Sequence, residues 1–130
     1  MAYYIATTIQ LPIAAAIERV EAALKDEGFG IITRIDIQET LKQKIGVDFR
    51  PYVILGACNP KLAHEALTIE DKVGTMLPCN VVVQEMEDGK VEIAAIDPVA
   101  SMQAIDNPRL HDAAQEVRSK LKNVIALVAR

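Results

Sequence analysis

Cys79-Asn80-Val81-Val82-Val83-Gln84-Glu85, the turn around Asp88-Gly89, and Val91-Glu92-Ile93-Ala94-Ala95-Ile96 decide the fold class. The first run is rich in β-branched residues, which fit a pleated, half-buried surface. Asp-Gly supplies the backbone freedom that a tight hairpin turn requires, so Val91–Ile96 reads as the returning strand. A hairpin makes the sheet at least partly antiparallel. That favours an α+β domain in two layers over a doubly wound parallel sheet.

Upstream of the hairpin, Asn59-Pro60 signals a helix start, with Asn as cap and Pro at the first helical position. Leu62, Ala63, Ala66 and Leu67 form that helix's apolar stripe. The preceding Tyr52–Cys58 is almost wholly apolar, as a central strand would be. Val47–Arg50 is a loop. Asp36-Ile37-Gln38-Glu39 has the spacing of a capping box; Ile37, Leu41 and Ile45 give the short helix behind it an expected buried face, and Gly46 stops it. Phe29–Ile35 and Ala2–Ile9 read as strands. Between them Ile13, Ile17, Val20 and Leu24 recur at helical spacing, with Pro12 at the start and Gly28 at the end. Downstream, Asp97-Pro98 breaks the last strand. A long helix closes the chain, its buried side marked by Leu110, Ala114, Val117, Leu121, Val124 and Val128. The expected order is β-α-β-(α)-β-α-β-β-α in a single domain over residues 1–130.

A chain of 130 residues can bury a real core without disulfide or metal staples. Its 51% hydrophobic and 25% charged composition is that of an ordinary globular protein. The net charge is −4 with both signs mixed, and no basic block argues for nucleic acid. Arg109, Arg118, Lys120, Lys122 and Arg130 are interrupted by Asp112 and Glu116, which reads as a solvated helix face. No segment is apolar for long enough to span a membrane, and residues 1–10 lack the positive charge of a signal peptide. The expectation is a cytoplasmic protein without a permanent disulfide.

The two cysteines each precede asparagine and adjoin a proline motif: Cys58-Asn59-Pro60 and Pro78-Cys79-Asn80. Cys58 lies just before a helix N-cap, where the helix dipole favours a thiolate; the base rate for free cysteine favours the other reading, a small apolar residue finishing a buried strand. Cys79 shares a face with Val81 and Val83, which points to burial. Asn59 is a cap. Asn80 opens a Val-rich strand where asparagine is disfavoured, so it either faces water or satisfies groups inside. Asp97 caps the turn after the last strand or presents a carboxylate at the same sheet end as a cysteine motif. Arg50 is placed to hold an anion, to pair with Asp48 or to lie in solvent. His64 sits on the helix after Asn59 as a surface residue or a proton carrier. Cys58, Cys79, His64 and Asp97 are acceptable zinc ligands by type, but there is no Cys-x-x-Cys or His-x₃-His spacing, so no metal site is assigned. The sequence likewise names no cofactor: it has no phosphate loop, nucleophile elbow or paired redox cysteines.

Gly28-Phe29-Gly30, Ile35-Asp36, Gly46-Val47-Asp48-Phe49-Arg50-Pro51-Tyr52, Gly56-Ala57-Cys58-Asn59-Pro60, Leu77-Pro78-Cys79-Asn80-Val81-Val82 and Ile96-Asp97-Pro98 follow one another along nearly the whole chain. In this it resembles the family called domain of unknown function 302. The resemblance implies helices packed on a curved, mainly antiparallel sheet, similar in outline to TATA-binding-protein-like folds, and a homodimer. It implies no activity. A homodimer also follows from the sheet, since Tyr3, Tyr4 and Val81–Val83 offer surface to a partner. Three functions are compatible with these residues. The first is a homodimeric ligand- or partner-binding module with a polar site near the two Cys-Asn motifs and Asp97, with Arg50 as a further ligand contact; a small molecule is the expected ligand. The second is a thiol-dependent enzyme or redox protein using Cys58, and the third a structural or assembly protein with no chemical site.

Overall fold

A computed structural model describes residues 2–130. Among these, β1 (Tyr4–Ile9), β2 (Gly30–Asp36), β3 (Tyr52–Cys58), β4 (Cys79–Glu85) and β5 (Val91–Ile96) form one sheet in the order β1-β5-β4-β3-β2. Every pairing is antiparallel. The helices are α1 (Ile13–Asp26), α2 (Ile37–Ile45), α3 (Pro60–Ile69), the short α4 (Pro98–Ser101) and α5 (Pro108–Val128); a 3₁₀ segment, Asp71–Met76, follows α3. This is the α+β architecture the hairpin implies. Asp88 and Gly89 both adopt left-handed φ, 68° and 71°, as a tight turn between right-twisted strands demands.

Alternation sorts the sheet into two faces. Val53 and Leu55 of β3, Val81 and Val83 of β4, and Val91, Ile93 and Ala95 of β5 point one way and are buried. They pack with Ile17, Val20 and Leu24 of α1 and Leu121, Val124 and Val128 of α5. Helix α5 lies over β1 and β5, and α1 reaches β4 and β2. At about 1.5–3 kcal/mol for each fully buried aliphatic side chain, this cluster dominates the stability. Helix α1 ends where the sequence places its stop: Gly28 at φ 85° lets its N–H reach Lys25 O and the Phe29 N–H reach Leu24 O. The other face carries Tyr4, Ala6, Ile54, Val82, Ala94 and Ile96, with no helix of residues 2–130 buried against it.

Two expectations are corrected here. Helix α2 forms with Asp36 Oδ1 accepting the Glu39 N–H, yet none of its residues is buried; Ile45 is 67% exposed. Its main contacts with other elements are with β2, the edge strand, and β3, so its stripe has little to pack on. Of Val81–Val83, only Val82 faces outward, because its neighbours belong to the helix-covered face.

Candidate functional site: an apolar cleft beside two thiols

Strand direction determines what meets at each end of the sheet. Antiparallel order brings the end of β3 (Cys58), the start of β4 (Cys79), the end of β5 (Ile96) and the start of β2 (Gly30) to one edge. Ala57 pairs directly with Cys79. Next to this pairing the chain is pinched at Gly56: a Cβ there would fall on Thr33 Oγ1 and lie 2.8 Å from Pro78 Cγ. The register slips between Ile31 and Thr33, a bulge that leaves Ile32 61% exposed at the same edge.

Three helices leave this end, and each begins with an Asx-Pro pair. Asn59 Oδ1 accepts the Leu62 N–H at 3.2 Å to cap α3. Asp97 Oδ1 accepts the Val99 N–H at 3.0 Å to cap α4. Asn107 Oδ1 accepts the Arg109 N–H at 3.1 Å to cap α5. Proline at the first helical position removes a donor that would have no partner, and the Asx side chain satisfies another.

Between these helices and the strand ends lies a cleft of about 280 Å³. Ala57, Cys58, Pro78 and Cys79 form its sheet side. Leu62, Ala63 and Ala66 come from α3, and Leu110, Ala113 and Ala114 from α5. Phe29, Ile32, Asn59, Leu77, Met102 and Val117 are also part of the wall. Ala63 and Ala66 of α3 and Ala113 and Ala114 of α5 are small side chains at this seam, and they leave room that larger ones would fill.

The candidate residues separate on this geometry. Cys58, Asn59 and Cys79 line the cleft. Cys58 is half-buried and Cys79 buried; both are free thiols. Burial pushes the Cys79 thiol up from 9.0 to about 11, with the neighbouring Cys58 as a smaller contributor. Asp97 is 5% exposed and stands behind the cleft wall. Its Oδ2 accepts from Arg118 Nε at 3.0 Å and its N–H donates to Tyr3 O at 2.8 Å, so it ties α4 and α5 to the sheet. Asn80 is brought elsewhere: it pairs with Gly56 on the open sheet face and is exposed. Arg50 is at the opposite end of β3, its guanidinium 4.4 Å from the Phe49 ring and its Nε donating to Gln84 at 2.9 Å. Asp48 pairs instead with Lys42, at 2.8 Å. His64 is exposed on α3.

The polar site expected around both Cys-Asn motifs is therefore not one place. The wall gathers two thiols, one amide and hydrocarbon, with no His, Lys, Arg, Asp or Glu side chain among its residues. Among the described residues no three His, Cys, Asp or Glu groups come together as a metal cluster, and no helix is long and apolar enough to cross a membrane. Sequence reasoning missed Phe29, Met102, Leu110 and Ala113 as cleft residues. The available signals were the Asn107-Pro108 helix start and the paired alanines Ala113-Ala114 facing Ala63 and Ala66.

This is a two-layer α+β domain with one sheet face covered by two helices and an apolar cleft at one sheet end. The chain belongs to the DUF302 family, "Domain of unknown function DUF302", whose model matches residues 5–128. It is similar to the crystal structure of an uncharacterized conserved DUF302 protein from Bacillus stearothermophilus, with 31% identity, a TM-score of 0.91 and 98% of each chain covered. No curated protein matches it.

Proposed function

We propose that this domain is a cytoplasmic, homodimeric binding module whose small-molecule ligand sits in the cleft between α3 and α5, against Cys58, Asn59 and Cys79. The observation that carries the reading is the cleft itself, a cavity of about 280 Å³ walled by side chains from both helices and the strand ends. Concave, largely apolar sites with few polar groups are the usual form of small-molecule sites. Asp97 acts as a positioning residue through α4 and Arg118. The two free thiols suit a reducing compartment. Binding is favoured over thiol catalysis because a nucleophilic sulfur needs an adjacent base or positive group, and none lines the cleft.

The dimer reading rests on the open sheet face. Tyr4 is 46% and Ile35 45% exposed there, and Ile54, Val82, Ala94 and Ile96 continue the patch. Asn80, Gln84 and Glu92 share this face, so it is an apolar patch with polar members; such a patch marks an interaction surface, and a two-fold pair is the commonest way to cover one.

Methyl-labelled methionine tests the binding reading. Met102 lines the cleft and Met86 is exposed after β4, so the two methyl signals report the site and a control. In a mixed library of neutral, anionic and cationic small molecules, members that shift Met102 and leave Met86 in place are expected. A library in which nothing moves Met102 selectively overturns the reading. For the dimer, light scattering at tens of micromolar is expected to give twice the chain mass, reduced to one by Val82→Glu; a wild-type monomer refutes it.

A further inference from the structure

We infer that the cleft selects neutral, hydrocarbon-rich molecules of about the size of a fused bicyclic aromatic and rejects charged ones. This rests on the cleft being the binding site and adds the chemical class of its ligand.

The size follows from the volume. An apolar cavity of about 150 Å³ stays dry and takes benzene. The present cleft, about 280 Å³, is roughly twice that. Naphthalene, or a chain of roughly eight to ten carbons, is the matching payload. The shape has the same origin as the void: Ala63 and Ala66 on α3 face Ala113 and Ala114 on α5, which leaves a slot between two helices.

Charge selection follows from the wall. A charge moved out of water without a partner carries a cost that hydrocarbon contacts do not offset. The wall offers no cationic or anionic side chain. Asp97, which precedes Pro98 of the wall, is joined to Arg118 at 3.0 Å. The Asn59 carbonyl oxygen is engaged by the Leu62 N–H. Among the described residues no buried side-chain nitrogen or oxygen is left seeking a partner. The remaining side-chain heteroatoms are the amide nitrogen of Asn59, a neutral donor, and the sulfurs of Cys58, Cys79 and Met102, which are weak hydrogen-bonding groups and make good contacts with aromatic edges. Cys79, held protonated by burial, adds no negative charge at neutral pH. Such a wall recognises a ligand by shape and apolar area.

The test uses matched pairs that share a hydrocarbon body: naphthalene against 1-naphthoate, and n-octanol against octanoate and octylammonium. Affinities are read from the Met102 methyl signal in the full chain. The neutral member of each pair is expected to bind at least tenfold more tightly. Ala63→Leu, which adds three carbons to the slot at a half-buried position, is expected to weaken the neutral probes at least tenfold while the circular dichroism and melting temperature hold. Ala63→Val repeats this with a smaller addition should the leucine variant fail to fold. Equal or tighter binding of the charged members overturns the inference and leaves the cleft a binding site. Neutral binding that survives both Ala63 variants places the ligand elsewhere and overturns it too. If no probe of any charge binds, the inference and the binding reading fall together.

Discussion

Cys79 should make the stability of this protein fall in alkaline solution by a definite amount. Its thiol moves from 9.0 to about 11 on folding, first because burial penalises the thiolate and second because Cys58 is near. The shift is upward, so the folded state holds the proton more tightly than the unfolded chain. Below 9.0 the thiol is neutral in both states and the full stability is present. Between 9.0 and 11 the unfolded chain releases the proton while the native state keeps it, and stability drops with each step in pH. Above that window the loss levels off. Two units at about 1.4 kcal/mol each give roughly 3 kcal/mol in all, of which roughly 2 kcal/mol is lost by pH 10.5. The measurement is a double difference, so that every other alkaline effect cancels. Urea unfolding is run at pH 8 and pH 10.5 on the wild type and on Cys79→Ala, and the wild type should lose about 2 kcal/mol more than the variant. Parallel losses would refute the reasoning and mean that the native thiol ionises as freely as the unfolded one. A kinetic corollary needs no unfolding. At pH 7 the thiolate fraction of Cys79 is on the order of one in ten thousand, so its alkylation by iodoacetamide should run at least a hundredfold slower than that of a free cysteine.

The same end of the sheet supplies further predictions. Asn59→Ala should cost about 1 kcal/mol by removing the α3 cap, and Asn59→Asp should be close to neutral; thermal unfolding distinguishes a cap from a group needed for its amide. Gly56→Ala should cost about 1–3 kcal/mol because its methyl meets Thr33 and Pro78, and Thr33→Ala in the same chain should recover part of that loss in urea unfolding. Arg118→Leu should cost about 2 kcal/mol or more, because it strands the buried Asp97 carboxylate, whereas Asp97→Asn keeps the α4 cap, leaves no unpaired buried charge and should cost less; the reverse order in chemical unfolding would refute the stranded-carboxylate reasoning.

The local parts of this fold are written in short stretches. Tyr52–Cys58, Cys79–Glu85 and Val91–Ile96 are strands with those bounds, and Gly28, Asp36 and Asn59 act as the stops and caps their residue types suggest. Each depends on a few neighbouring atoms. The pairing of β1 with β5 joins residues about ninety positions apart, and no local pattern specifies it. The site was legible only in part for a related reason. Cys58, Asn59 and Cys79 mark the cleft from their positions at strand ends, but Asn80 and Cys79 are adjacent in sequence and sit on opposite faces of the sheet. A shared dipeptide motif concealed that separation. Alanine was the other obscuring element. On a helical stripe Ala66 or Ala114 reads as core, and whether it fills space or leaves it open depends on what the opposite helix presents.

That ambiguity resolves at the seam between two apolar clusters. The larger joins the sheet to α1 and α5; the smaller lies beyond the sheet end and consists of Ala66, Val73, Met102, Leu110 and Ala114. Leu77 packs against both, and the cleft opens beside it. Burial of branched aliphatics on β1, β3, β4 and β5 holds the first cluster together. The second is smaller, with Ile69, Leu77, Val99 and Ile105 packed around its buried residues, and the helices beside it start at three Asx-Pro caps, each worth about 1 kcal/mol, and are tied by the link from Asp97 to Arg118. The two clusters therefore differ in what sustains them. Substitutions at the caps should reshape the cleft before they threaten the sheet, and a ligand that fills the slot should add contacts where the chain itself supplies fewest.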